Sequence, residues 1–110
     1  MDDERERYVE SVLRVVEAIP VGRVMSYGAV AEHVGRGGPR RVGGVLSNHG
    51  GAVSWWRVVR ADGSLPPSHV PRALEHYRAE GTPLTDRAIC RIDMRRAAWN
   101  PPAPRSRTRP

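Results

Sequence analysis

The chain has no phenylalanine, no lysine and one cysteine, Cys90. Without phenylalanine, large apolar volume must come from tryptophan, tyrosine and branched aliphatics, and only three tryptophans and three tyrosines are present. A single cysteine excludes an internal disulfide and any multi-cysteine metal site, and points to a reducing compartment. No metal or cofactor is expected. Long apolar runs are absent too: none approaches the roughly 20 residues of a membrane-crossing helix. The start, Met1-Asp2-Asp3-Glu4, is acidic where a secretory signal would be basic and then apolar. No membrane association is therefore expected, with the cytoplasm as default location and a monomer as default state.

The missing lysine makes all 18 basic residues arginine, against 12 acidic residues and a formal charge of +6. Biased base composition accounts for scattered residues such as Arg5, Arg7 and Arg14. It does not account for the clusters at Arg36 to Arg41 and Arg105 to Arg109. Such a balance implies a polyanionic partner, most simply nucleic acid.

What is present is organised around Ser54-Trp55-Trp56-Arg57-Val58-Val59, which places two of the three tryptophans side by side. Read as a strand through Trp55 to Arg60, alternation sends the two rings to opposite faces. Upstream, Tyr8, Val9, Val12, Leu13 and Val16 recur at helical spacing over residues 3 to 18, with acids in the first turn and Pro20 as a stop. Ser26 fits the N-cap of a helix from Tyr27 to Val34, and Pro39 the first position of a second, running to about Ser47 with Val42, Val45 and Leu46 inward.

Two short helices joined by Arg36-Gly37-Gly38 form a helix-turn-helix pattern whose second member enters a groove. Arg40 and Arg41 at its start oppose the helix dipole, a conflict that a phosphate would relieve. Gly43 and Gly44 each cost about 1 kcal/mol relative to alanine, so a large group is expected close to that backbone. Ala61-Asp62-Gly63-Ser64 reads as a hairpin turn into Leu65, which would form a wing. A helix over Ser68 to Glu80 with Leu74 and Tyr77 inward, a strand from Ala88 to Ile92 and an amphipathic end to Trp99 follow. Residues 1-99 thus read as one α/β winged helix-turn-helix domain, and residues 100-110 as a disordered basic Pro/Arg tail.

Over residues 4 to 99 these pieces resemble the DNA-binding domain of O6-alkylguanine-DNA alkyltransferases, the methylated-DNA-protein-cysteine methyltransferase type. The chain is more similar still to their non-catalytic relatives, the alkyltransferase-like proteins. The enzymes carry Pro-Cys-His-Arg-Val where this chain has Ser54, Trp55, Trp56, Arg57 and Val58, so tryptophan stands at the acceptor cysteine. The alkyltransferase-like proteins also have tryptophan there, but usually proline at position 54 and histidine or glutamine at position 56.

The resemblance implies that Tyr27 rotates the target nucleotide's phosphate and that Arg40 is an arginine finger filling the gap left by a flipped base. It implies a hinge at Asn48 and a DNA or lesion surface that also includes Arg41, Trp55, Trp56 and Arg57. Packing alone would also account for Trp56, and ion pairing for Arg57. The function implied is binding of double-stranded DNA containing O6-alkylguanine by nucleotide flipping, without alkyl transfer, flagging the lesion for nucleotide excision repair proteins. Two alternatives stand beside it: a general winged-helix DNA-binding protein or regulator with Trp55 in its core, and an alkyltransferase using Cys90. The neighbours of Cys90 read as a half-buried strand, which favours a structural thiol.

Overall fold

A computed structural model of the chain describes residues 2–101; most of the expected tail, including Arg105, Arg107 and Arg109, lies outside the described residues. Helix α1, Asp2–Ala18, buries Tyr8, Val12 and Val16, one residue per turn on a single stripe. Helix α2, Tyr27–Val34, begins where the Ser26 hydroxyl accepts the Ala29 amide at 3.0 Å and ends on Gly35 at φ 93°, as expected of a serine N-cap and a glycine C-cap. Helix α3, Pro39–His49, starts with proline at a position that has no amide bond to lose, and sends Val42 and Val45 inward. The α2 and α3 faces meet α1 in a first core that contains Tyr8, Val12, Val16, Val30, Val42 and Val45. Gly37, at φ 75°, lies under Tyr8, and any Cβ there would collide with the phenol.

Two short strands divide this core from a second. Met25–Ser26 (β1) pairs in parallel with Val58–Val59 (β2), Met25 opposite Val58. Met25 and Val58 face the first core, while Val24 and Val59 face the second. That is the two-residue alternation of strands put to use as a partition. The second core gathers Leu65, Ala73, Tyr77, Cys90, Ile92 and Ala97. Around it run helix α4 (Val70–Glu80), the antiparallel strands β3 (Leu84–Asp86) and β4 (Arg91–Ile92), and the short helix α5 (Met94–Ala97). No helix among the described residues is long and apolar enough to cross a membrane.

Three local expectations are corrected. Trp55–Arg57 is a turn of 3-10 helix, and the strand is confined to Val58–Val59. The reason is visible in the side chains: Trp56 and Arg57 are neighbours, yet both reach Glu80. A strand would point them to opposite faces. The turn at Ala61-Asp62-Gly63-Ser64 forms, with Gly63 donating to the Arg60 carbonyl and Arg60 to that of Ser64, but it opens no second hairpin strand. Pro66 and Pro67 follow at once, and the Gly63 carbonyl instead accepts the Ile92 amide at 2.9 Å, pinning the expected wing to β4. Ala88 and Ile89 are exposed turn residues rather than strand, because the Asp86 carboxylate accepts both their amides. Cys90 is buried in a left-handed conformation, φ 56°.

Candidate nucleic-acid interface

A cavity of about 460 Å³ opens between the C-terminal half of α3, the Trp55 turn and the approach to α4. Tyr27 and Trp55 both line it, from positions 28 residues apart in sequence, together with Leu46, His69 and Arg72. Small residues give it depth: Gly43, Gly50 and Gly51 are all in its wall. A Cβ on Gly43 would sit 4.0 Å from the Tyr27 ring, and one on Gly50 would press on Leu46 at 3.3 Å. The large group expected close against the α3 backbone is not found within the described residues: 4.0 Å from the Tyr27 ring is ordinary van der Waals contact for a Cβ at Gly43. At Gly44 nothing lies within 4 Å. Burial pushes the Tyr27 phenol above its ordinary pKa, against the opposing pull of the Arg60 charge. The hydroxyl therefore stays a neutral donor at physiological pH.

The Trp55 ring makes T-shaped contacts with three neighbours. Trp56 lies 5.7 Å away at 86°, His69 5.7 Å at 65° and His76 6.1 Å at 81°. Trp56 is placed differently. It stacks on His76 at 3.5 Å and 5°, and its indole nitrogen donates to Glu80 at 2.8 Å. Its carbonyl accepts the Tyr77 hydroxyl at 2.6 Å.

Arg57 completes a clamp behind the two indoles. Its guanidinium donates to Glu80 at 2.7 Å and to the Ile19 carbonyl at 2.9 Å. Glu80 also accepts the Gly22 amide at 2.9 Å. Burial, the largest influence on Glu80, would raise its pKa. The hydrogen bonds from Arg57, Gly22 and Trp56 together outweigh it and hold the carboxyl below its usual range. The ion-pair alternative for Arg57 is the arrangement observed.

The remaining expected residues sit on α3 outside this cavity. Arg40 is exposed and has no ion-pair or hydrogen-bond partner among the described residues. Arg41 stacks over the Tyr8 ring at 3.9 Å and lies 3.8 Å from Glu4, which also pairs with Arg36 at 3.0 Å. Asn48 donates to the Gly44 carbonyl at 3.1 Å, within its own helix. Cys90 belongs to the second core and is not in the cavity wall, and burial pushes its thiol up, away from the thiolate form.

Sequence reasoning missed four residues. His69 and Arg72 reach the cavity only because Pro66 and Pro67 turn the chain into α4 beside Trp55, and no local spacing signals that. His76 follows the same path. Glu80 carried one available signal, an acid in the last turn of a helix where the dipole disfavours it, which implies a compensating cation.

The sequence profile of the 6-O-methylguanine DNA methyltransferase DNA-binding domain matches residues 7–82. A DNA base-flipping protein of Vibrio parahaemolyticus is 31% identical over 101 residues, covering 87% of this chain and 99% of its own length. The DNA base-flipping protein of Escherichia coli K12 is 34% identical over 103 residues, covering 89% and 78% respectively. Among solved structures, S. pombe Atl1 in complex with damaged DNA containing O6-carboxymethylguanine superposes with a TM-score of 0.75 at 23% identity, over 87% of this chain and 97% of that one. A second S. pombe ATL complex with DNA gives 0.74 at the same identity and coverage. The fold is therefore the alkyltransferase-like winged helix-turn-helix. With the profile spanning both α3 and the tryptophan turn, and with relatives over 30% identical matched along most of their length, this chain belongs to the 6-O-methylguanine DNA methyltransferase DNA-binding family.

Proposed function

We propose that the protein recognises O6-alkylguanine in duplex DNA by swinging the nucleotide into the cavity beside Trp55 and holding it there without removing the alkyl group. The pairing edge of a modified guanine is open to inspection only outside the stack, and extrusion costs a few kcal/mol. The observation that carries this reading is the meeting of Tyr27 and Trp55 in one cavity next to α3. Stacking of the base on Trp55 returns on the order of 1–3 kcal/mol. The neutral Tyr27 hydroxyl donates to the rotated phosphate, and Arg40, unpartnered at the start of α3, enters the vacated stack. Arg41 contributes phosphate contact, and Asn48 sits where α3 hands over to the Trp55 turn. Trp56 and Arg57 support the site from behind.

Tryptophan at the acceptor position offers no thiolate, and Cys90 is a buried neutral thiol, so alkyl transfer has no nucleophile. The base-flipping names of the relatives support extrusion, and the damaged-DNA complex of the structural neighbour supports a lesion as ligand. Marking of the lesion for nucleotide excision repair rests on the family resemblance alone.

Binding to matched duplexes with and without O6-methylguanine, a fluorescent base analogue opposite the lesion and intact-mass measurement of the protein test these steps together. Tighter binding and a larger extrusion signal on the methylated duplex, with unchanged protein mass, are expected. Equal affinity for both duplexes would leave the general DNA-binding reading in its place. A gain of one methyl group on Cys90 would restore the enzymatic one.

A further inference from the structure

A second cavity, also about 460 Å³, lies on the second core and shares no residue with the Trp55 cavity. Three arginines from separate segments line it: Arg78 from the end of α4, Arg87 from the turn after β3, and Arg96 from α5. Its wall contains no aspartate or glutamate, and Leu74 and Leu84 supply apolar surface. None of the three guanidiniums has an ion-pair or hydrogen-bond partner among the described residues, although Arg36, Arg41, Arg57 and Arg91 are each paired with an acid. Thr82 lines the same cavity, is 93% buried, and its hydroxyl oxygen has no hydrogen-bond partner. Like charges held around one concavity repel, and one bound anion relieves that repulsion.

We infer that this cavity is a phosphate-binding site, separate from the surface that engages the damaged base. Three guanidinium forks offer more donors than the two oxygens of a carboxylate can use, whereas a phosphate group presents three or four acceptor oxygens to them. The phosphate comes either from the backbone of a DNA segment passing behind the lesion site or from a free phosphate compound. Both sources satisfy the same donors.

The test is a titration of the whole chain with inorganic phosphate at constant ionic strength, followed by amide and arginine side-chain NMR signals, with chloride as control. Saturable shifts at Thr82, Arg78 and Arg96 are expected, with millimolar affinity. An Arg78→Gln/Arg96→Gln variant should weaken that affinity about tenfold, equivalent to 1.4 kcal/mol. Shifts that do not saturate, or that are indifferent to the arginine pair, overturn the inference.

The source is read from unmodified duplex. If DNA supplies the phosphate, the double variant lowers the slope of log affinity against log salt by about one, the share of a single phosphate contact. If the slope holds while phosphate binding is lost, the ligand is a free phosphate compound. Lesion preference and base extrusion, measured on the same variant, should persist in either case, so the outcome is independent of the reading given to the Trp55 cavity.

Discussion

Arg57 and Arg40 carry the same guanidinium, and the two regions that hold them use it in opposite ways. Behind the indole pair, Arg57 is almost fully enclosed, with 12% of its side chain exposed, and Glu80 facing it has 10%. Its donors are divided between that carboxylate and the Ile19 carbonyl. At the start of α3, Arg40 stands exposed with no partner among the described residues. A paired and enclosed cation fixes the position of its neighbours, whereas an open one at a helix N-terminus gains most from an incoming anion or base. Shape is therefore set on the α4 side of Trp55, and α3 carries the open cation on which the proposed DNA engagement draws.

The largest effect should come from breaking the closed side. Glu80→Ala strands the Arg57 charge and leaves the Trp56 indole and the Gly22 amide without an acceptor. Removing one partner of an enclosed pair typically costs about 3–5 kcal/mol. Urea unfolding should show that loss, together with altered tryptophan fluorescence. A change near zero would mean that the clamp is decorative.

Next comes Trp55→Ala, which removes the proposed stacking surface while the clamp remains. Lesion-duplex affinity should fall by about 1–3 kcal/mol with little change for unmodified duplex, as read by fluorescence anisotropy. Equal losses on both duplexes would place Trp55 with Trp56, as packing.

The open side gives a finer contrast. Arg40→Ala should lower both lesion affinity and base extrusion, with lysine restoring only part because it lacks the planar group. Arg41→Ala loses its stack on Tyr8, worth about 0.5–1 kcal/mol of stability at an exposed site, and should weaken damaged and undamaged DNA alike. If Arg41 rather than Arg40 controls extrusion, the register proposed for α3 is off by one.

Titration offers the mildest probe of the closed side. The Glu80 carboxyl is held below its usual range in the folded protein, so its stabilising contribution is present above the unfolded carboxylate pKa and is lost as pH falls through the lower folded value. Thermal unfolding of wild type against Glu80→Gln across the acid range should therefore converge at low pH. Parallel curves would assign the clamp's strength to hydrogen bonds that survive protonation.

The helix-turn-helix was legible because its signals are local. Ser26 before Tyr27, Pro39 opening α3 and the four-residue recurrence of Tyr8, Val12 and Val16 each act within one or two turns of chain. The tryptophan turn was less legible. Val58 and Val59 carry a true strand signal, but the residues before them fold back because Trp56 and Arg57 share an acceptor 24 and 23 positions away. The stretch after Asp86 misled in the same manner, its hydrophobic residues looking like strand while a carboxylate drew their amides into a turn.

By itself, the sequence determined the two helices of the helix-turn-helix, the Ser26 cap of one and the Pro39 start of the other, the adjacent pair Trp55 and Trp56 and the basic balance, since these depend on residue type and short spacing. Only the tertiary structure decided that Tyr27 and Trp55 meet in one cavity, that His69 and Arg72 join them, and that Glu80 gathers Trp56, Arg57 and Gly22. Those choices depend on which distant groups must share a donor or an acceptor once water is excluded, and that pairing has no periodicity to read along the chain.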